Sequence, residues 1–355
     1  MLPSFDILGF LVSWGTFLGI YAILAISLNL EVGLTGMANF GKVAFYGIGA
    51  YLAASLSVYT VLAVYHVAAA PYTTEGIIAL GKYGGANPAL DLGIFAASLV
   101  LGFIIAGCVG YLLTYPTLRV GPAFLGITLL AFGELLRIFL LNYQPLGASK
   151  GLSGIPHPFL WIPDPVLRER LYVLVVLGFL AVTLWFAERI TNSPFGRVLK
   201  AVRDDEVAAL CMGKHVPRVK ATILFIGSGM AGIAGVLLAF YMSSVNPNMF
   251  VPAVTFNIWA MVILGGMGNN KGAVVGAAII TFVDRILTFI TPNLGITIIT
   301  PDYIRWMIVG ILIVLVLMFM PGGLVPEKPI KTPAWEAVES LEKESKEGGS
   351  GGGEA

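Results

Sequence analysis

Hydrophobic positions in this chain gather into long unbroken runs, separated by short polar or glycine-rich joints. A helix that crosses the hydrocarbon core needs about 20 apolar residues at roughly 1.5 Å each. Runs of that order cover residues 8–30, 41–65, 92–115, 121–141, 171–188, 221–242, 253–269, 273–291 and 304–320, about nine in all. The runs do not alternate, which excludes barrel strands, and an open sheet edge could not satisfy its backbone in lipid. The predicted fold class is therefore all-α: a polytopic transmembrane helical bundle. One stretch departs from a smooth helix. Gly33, Gly36, Gly41, Gly47 and Gly49 crowd together with Asn29, Thr35 and Asn39, a glycine density that weakens a helix. The stretch has two readings. One is close helix packing through small residues. The other is a broken helix near residues 31–47, whose freed backbone groups line a pathway. On the second reading Asn29, Gly33, Gly36 and Asn39, with Thr128 on a later run, are candidate pathway-lining residues.

Composition narrows the class. Of 355 residues 57% are hydrophobic and 12% charged, about half the charge of an ordinary soluble domain. Ten charged residues fall in 189–220 and eleven in 327–355, and none occurs between Ala221 and Asn270. Such a chain cannot cover a water-facing surface, so a soluble domain, a disordered chain and a nucleic-acid binder are excluded. Recurrence of the runs excludes a single membrane anchor. The N-terminal residues carry no basic segment, and residues 7–30 read as a retained first span and not a cleaved signal. With the 189–220 loop in the cytoplasm and alternating spans, thirteen Lys and Arg lie on the cytoplasmic side and five on the outer side, as the positive-inside rule expects. Residues 1–325 read as a transmembrane domain and 326–355 as a hydrophilic flexible cytoplasmic tail, with a short charged helix at 335–347.

Charges within a span are functional candidates. Glu134 and Arg137 stand three apart and share a helix face, which suggests a supporting pair near the outer end of a span. Asp284 and Arg285 are adjacent, so they point about 100° apart toward different partners. Much chemistry is missing from the sequence. Gly266-Met-Gly-Asn-Asn-Lys-Gly272 has the wrong spacing for an ATP-binding loop. Asn87-Pro88-Ala89 matches a water-channel tripeptide but occurs once, in a loop, and reads as a turn. The three histidines and two cysteines form no ligand motif, so no metal, disulfide or cofactor is expected.

The segment 193–220 is the most informative. Ser193 suits a helix N-cap, Pro194 the first helical position and Gly213 the position after a helix end. Apolar residues alternate with Arg197, Lys200, Arg203 and the Asp204-Asp205-Glu206 cluster, and Asp204 is placed to cap a second short helix, making an elbow. On composition alone it is a solvated connector; its alternative role is a docking element for a cytoplasmic partner. The spacing Glu206-x-Ala208-Ala209-x-x-x-Gly213 resembles the coupling loop of ABC importer permeases, with Arg203 and Asp204 among its flanking charges.

Other segments resemble one family, the LivM-type permeases of branched-chain amino acid ABC importers. They are Leu28 to Tyr51, Thr128 to Arg137, Gly151 to Pro156, Ser193 to Gly213, Val262 to Gly268 and Met320 to Leu324, in family order. Lys42, where that family usually has histidine, and Asn39, where serine or leucine is common, are departures. The resemblance implies a non-catalytic subunit that forms a translocation pathway for hydrophobic, branched amino acids. It also implies a homologous second permease, two cytoplasmic ATPase subunits that bind the ATP, and an extracytoplasmic substrate-binding protein. Urea and short-amide permeases are similar. A stand-alone secondary transporter or channel is the reading from another class, and neither needs an ATPase dock.

Overall fold

A computed structural model describes residues 7–120, 122–293 and 301–327. Its α-helices are α1 (Ile7–Thr35), α2 (Lys42–Val64), α3 (Thr74–Tyr83), α4 (Pro88–Val120), α5 (Pro122–Asn142), α6 (Pro165–Thr191), α7 (Pro194–Asp204), α8 (Glu206–Cys211), α9 (Val216–Met242), α10 (Pro252–Gly265), α11 (Asn270–Asn293) and α12 (Pro301–Phe319). Strand β1 (Leu152–Ser153) pairs antiparallel with β2 (Ser244–Val245), Leu152 opposite Val245. Each apolar run read from the sequence falls on one of α1, α2, α4, α5, α6, α9, α10, α11 and α12. Six of these, α1, α2, α4, α5, α6 and α9, are long and apolar enough to cross a membrane. The chain is an all-α polytopic bundle.

Helix α9 is the most buried of these six and lies at the centre. Small residues let its neighbours approach: Gly232 lies against the backbone of Gly102 on α4, and Gly235 against the carbonyl of Tyr46 on α2. Association in lipid has little hydrophobic drive between helices, so close backbone packing of this kind carries it. At the other extreme α6 exposes Leu174, Val182 and Trp185, the apolar surface expected of a peripheral helix in lipid.

Element ends differ from the sequence expectation for identifiable reasons. Helix α6 begins at Pro165 and not near 171, because Asp164 caps it by accepting the Val166 amide at 2.9 Å. Helix α10 stops at Gly265 and not 269, because Gly266 and Gly268 take φ of +113° and +85°. At 14 residues it rises only about 21 Å, short of a roughly 30 Å hydrocarbon core. The irregular backbone ahead of it is sheltered by protein: Phe250 is buried against the rings of Tyr46 and Tyr51. Asn87-Pro88-Ala89 is the start of α4, with the amides of Leu90 and Asp91 donating to the Asn87 carbonyl. The segment between the runs 41–65 and 92–115 contains α3, capped by Thr73. The interruption anticipated between 31 and 47 is residues 36–41. Gly36 ends α1 at φ +69°, and α2 starts at Lys42. Of the hydrophilic tail, residues 328–355 lie outside the described residues, as does the helix expected at 335–347.

Candidate functional site

Two regions gather the candidate residues: an elbow between α6 and α9 and the break between α1 and α2. The elbow is α7 followed by α8. Ser193 caps α7, accepting the Gly196 amide at 3.1 Å. The cap of α8 is Asp205, which accepts from Val207 at 2.8 Å and Ala208 at 3.0 Å. This corrects the expectation for Asp204, which lies at the surface and pairs with Arg203 at 3.2 Å. Asp205 adopts the extended backbone a cap requires, while Asp204 is still the last residue of α7. Gly213 has φ +75°. The Lys214 amide donates to Ala209 and the Gly213 amide to Leu210, which satisfies the end of α8.

The two alanines part company. Ala209 is buried with Val202 and Val216, so it holds α8 to α7 and α9 and does not face outward. Ala208 faces outward. Beside it Val207, Leu210 and Met212 are 68%, 52% and 79% exposed, a row of apolar side chains at the tip of a charged loop. Glu206 turns inward and pairs with Lys220, which is buried on the first turns of α9.

The elbow is tied to the membrane helices by charges on one face of α7. Glu327 receives Lys200 at 2.7 Å and Arg203 at 2.8 Å. Arg203 also donates to the carbonyl of Gly33, near the end of α1, at 2.6 Å. Burial alone would lower the Arg203 guanidinium; Glu327 and Asp204 more than offset it and hold it above its ordinary value. The segment leading to Glu327 is strapped across the α10–α11 turn, with Leu324 and Val325 donating to the carbonyls of Leu264 and Gly265. Asn29 grips the same turn: its amide donates to Asn270 at 2.9 Å and its oxygen accepts the Gly268 amide at 2.8 Å. Asn270 in turn donates to Thr191 at the end of α6. Asn29 and Gly33 therefore sit at a junction of α1, α6, α7 and the α10–α11 turn.

The break carries a second polar cluster. Lys42 donates to Glu31 at 2.7 Å, and both side chains are 0% exposed. Asn39 donates to the other Glu31 oxygen at 2.9 Å and accepts the Gly41 amide at 2.9 Å. From the far side Trp259 donates to the Asn39 carbonyl at 3.0 Å, and Thr255 accepts the Val43 amide at 3.1 Å. Phe40 lies against Trp259 and the half-exposed Phe256, with ring centroids 5.1 and 6.0 Å apart.

The remaining candidates lie elsewhere. Thr128 returns its hydroxyl to the Phe124 carbonyl of its own helix at 2.9 Å. Glu134 and Arg137 form an ion pair on a partly exposed face of α5. Arg285 stands 3.5 Å over the ring of Phe17, an interaction the sequence did not suggest; Asp284 also has an interaction of its own. Glu31, Lys200, Lys220 and Glu327 were missed as participants. A signal for the first was present: Glu31 and Lys42 are the only Asp, Glu, Lys or Arg between residues 7 and 74. Nothing local marked Glu327, whose partners lie 124 and more positions away.

Apolar crossing helices joined by a charged elbow define a multi-pass membrane protein of the transport permease class. The chain belongs to the family described as "Branched-chain amino acid transport system / permease component", which matches residues 10–317. It is 33% identical over 341 residues to the "Probable branched-chain amino acid transport permease protein LivM" of Methanocaldococcus jannaschii, covering 93% of this chain and 96% of that one. It is 32% identical over 332 residues to the "High-affinity branched-chain amino acid transport system permease protein LivM" of Escherichia coli, covering 86% and 68%. To the LivH protein of the same E. coli system the identity is 26% over 321 residues, covering 86% and 91%. No solved structure matches the chain.

Proposed function

We propose that this chain forms half of the membrane pathway of an ATP-driven importer for branched, hydrophobic amino acids. A homologous permease supplies the other half. Two cytoplasmic ATPases dock on the elbows, and an extracytoplasmic binding protein delivers substrate to the outer loops. The observation that carries this reading is the outward row Val207, Ala208, Leu210 and Met212 on a helix whose inner side is locked to α9 through Ala209 and Glu206. An exposed apolar helix on a rigid mount is the shape that helix-in-groove recognition uses. Neither a secondary carrier nor a channel needs one.

The chain performs no covalent chemistry and holds no cofactor in this reading. Closure of the ATPases displaces α8, and the ties through Glu206–Lys220, Arg203–Gly33 and Glu327 pass the displacement to α9, α1 and the α10–α11 turn. Spans then move between inward- and outward-facing states around a fixed site. The break at 36–41 supplies backbone polar groups for the zwitterion, and Phe40, Phe256 and Trp259 an apolar wall for its side chain.

The test is uptake by the chain co-expressed with its neighbouring ATPases, second permease and binding protein. Radiolabelled leucine, isoleucine, valine, alanine and urea are compared with and without an inactivated ATPase. ATPase-dependent uptake of the branched amino acids is expected. Urea uptake would keep the architecture and change the cargo, and uptake indifferent to the ATPase would overturn the docking reading.

A further inference from the structure

We propose that Glu31, Lys42 and Asn39 form a clasp that positions the 36–41 break for transport, an inference that rests on the permease reading above. Its geometry is closed on every side. Lys42 and Asn39 each hold one oxygen of the Glu31 carboxylate, at 2.7 and 2.9 Å. Glu31 lies on α1, Lys42 opens α2, and Asn39 lies within the break, so one carboxylate joins all three segments. The carboxylate itself needs room, and Gly227 of α9 provides it: a β-carbon there would overlap Glu31. On the opposite side Gly41 lies directly against the Leu129 carbonyl of α5. Trp259 and Thr255 of α10 hold the end of the break and the start of α2, by the Asn39 carbonyl and the Val43 amide. The break and its clasp are thus set among α1, α2, α5, α9 and α10, and the charged pin stands in an otherwise charge-free stretch.

An ion pair with no exposure is a poor way to gain stability, because desolvating both charges offsets their attraction. An apolar pair of similar volume often serves the fold as well. What a carboxylate with two separate donors supplies is direction: it fixes where Asn39 and Lys42 stand relative to α1. The consequence concerns Phe40, which lies between Asn39 and Gly41 and faces Phe256 and Trp259. If the clasp opens, Phe40 and the free backbone beside it lose their place on the pathway wall, while the rest of the bundle keeps its packing.

The experiment uses the complete transporter in proteoliposomes and measures leucine moved per ATP hydrolysed. In the double variant Glu31→Leu, Lys42→Leu no charge is left unpaired; it is expected to insert and hydrolyse ATP as wild type does while moving at least ten-fold less leucine per ATP. Asn39→Leu keeps both charges and their mutual contact and removes the link to the break; the same loss is expected, and this variant decides if the double variant fails to insert. Wild-type leucine-to-ATP ratios in well-inserted Asn39→Leu or the double variant would overturn the clasp and leave a packing role. A wild-type complex without ATP-driven uptake would overturn the permease reading, and the clasp with it.

Discussion

Single residues decide the elbow. Asp205 satisfies two amides at the start of α8, and replacing such a cap by Ala costs about 1 kcal/mol. Asp205→Ala is expected to raise hydrogen exchange across 206–211, with little change at Asp204→Ala. At Gly213 a β-carbon would meet nothing within 4 Å, so the cost of a side chain is conformational, roughly 1–2 kcal/mol for Ala in the left-handed region. Gly213→Ala is expected to lower ATPase docking more than Gly213→Asn, which tolerates that region; equal loss in a pull-down of the ATPase would mean the end of α8 matters sterically. Between α5 and α6 His157 lines a cavity of about 280 Å³ with Arg168 and Glu169. Burial, helped by the Arg168 charge, lowers its pKa from 6.5 to about 4. An unfolded chain takes up that proton near pH 6.5 and the folded one does not, so stability is full above that pH and falls as pH drops toward 4. His157→Phe, which keeps a ring against Tyr172, is expected to flatten this decline in a melting-temperature series.

At the scale of elements, apolar runs made the membrane helices legible, because length and hydropathy are properties of contiguous sequence. The elbow was legible too, from Ser193, Pro194 and Gly213. What could not be read is what depends on distant partners. The choice between Asp204 and Asp205 turned on where α7 stops. The inward turn of Ala209 depends on Val216, and the role of Glu327 on Lys200 and Arg203. Only the fold shows that Gly227 of α9 makes room for a carboxylate. The exposed row on α8 carries its own prediction. Leu210→Asp or Met212→Asp should leave insertion unchanged, since neither side chain packs inside the chain, and should abolish both ATPase co-purification and uptake. Retained uptake in either variant would sink the docking role. Glu206→Lys should abolish uptake as well, by setting a second ammonium beside buried Lys220.

For the whole molecule, the break, the elbow and the 320–327 strap form one connected structure at one end of the bundle. Glu327 joins the strap to the elbow, and Arg203 joins the elbow to Gly33, three residues before the break. Glu327→Gln leaves the fold of the helices intact but releases Lys200 and Arg203, so ATP hydrolysis is expected to continue while leucine uptake falls several-fold; proportionate loss of both activities would instead indicate failed assembly. The opposite end of the molecule is tied as firmly. Strand β2 follows α9 directly and pairs with β1, in the segment between α5 and α6, and Tyr172 donates to the Leu237 carbonyl at 2.6 Å. Helix α9 has 27 residues and so measures about 40 Å. At its foot Lys220 holds the elbow through Glu206, and past its head the Ser244–Val245 strand holds the loop that carries β1. A shaft gripped at both ends carries a push from either one, so under the proposed function the arrival of cargo at one end and the stroke of a motor at the other act on the same rod.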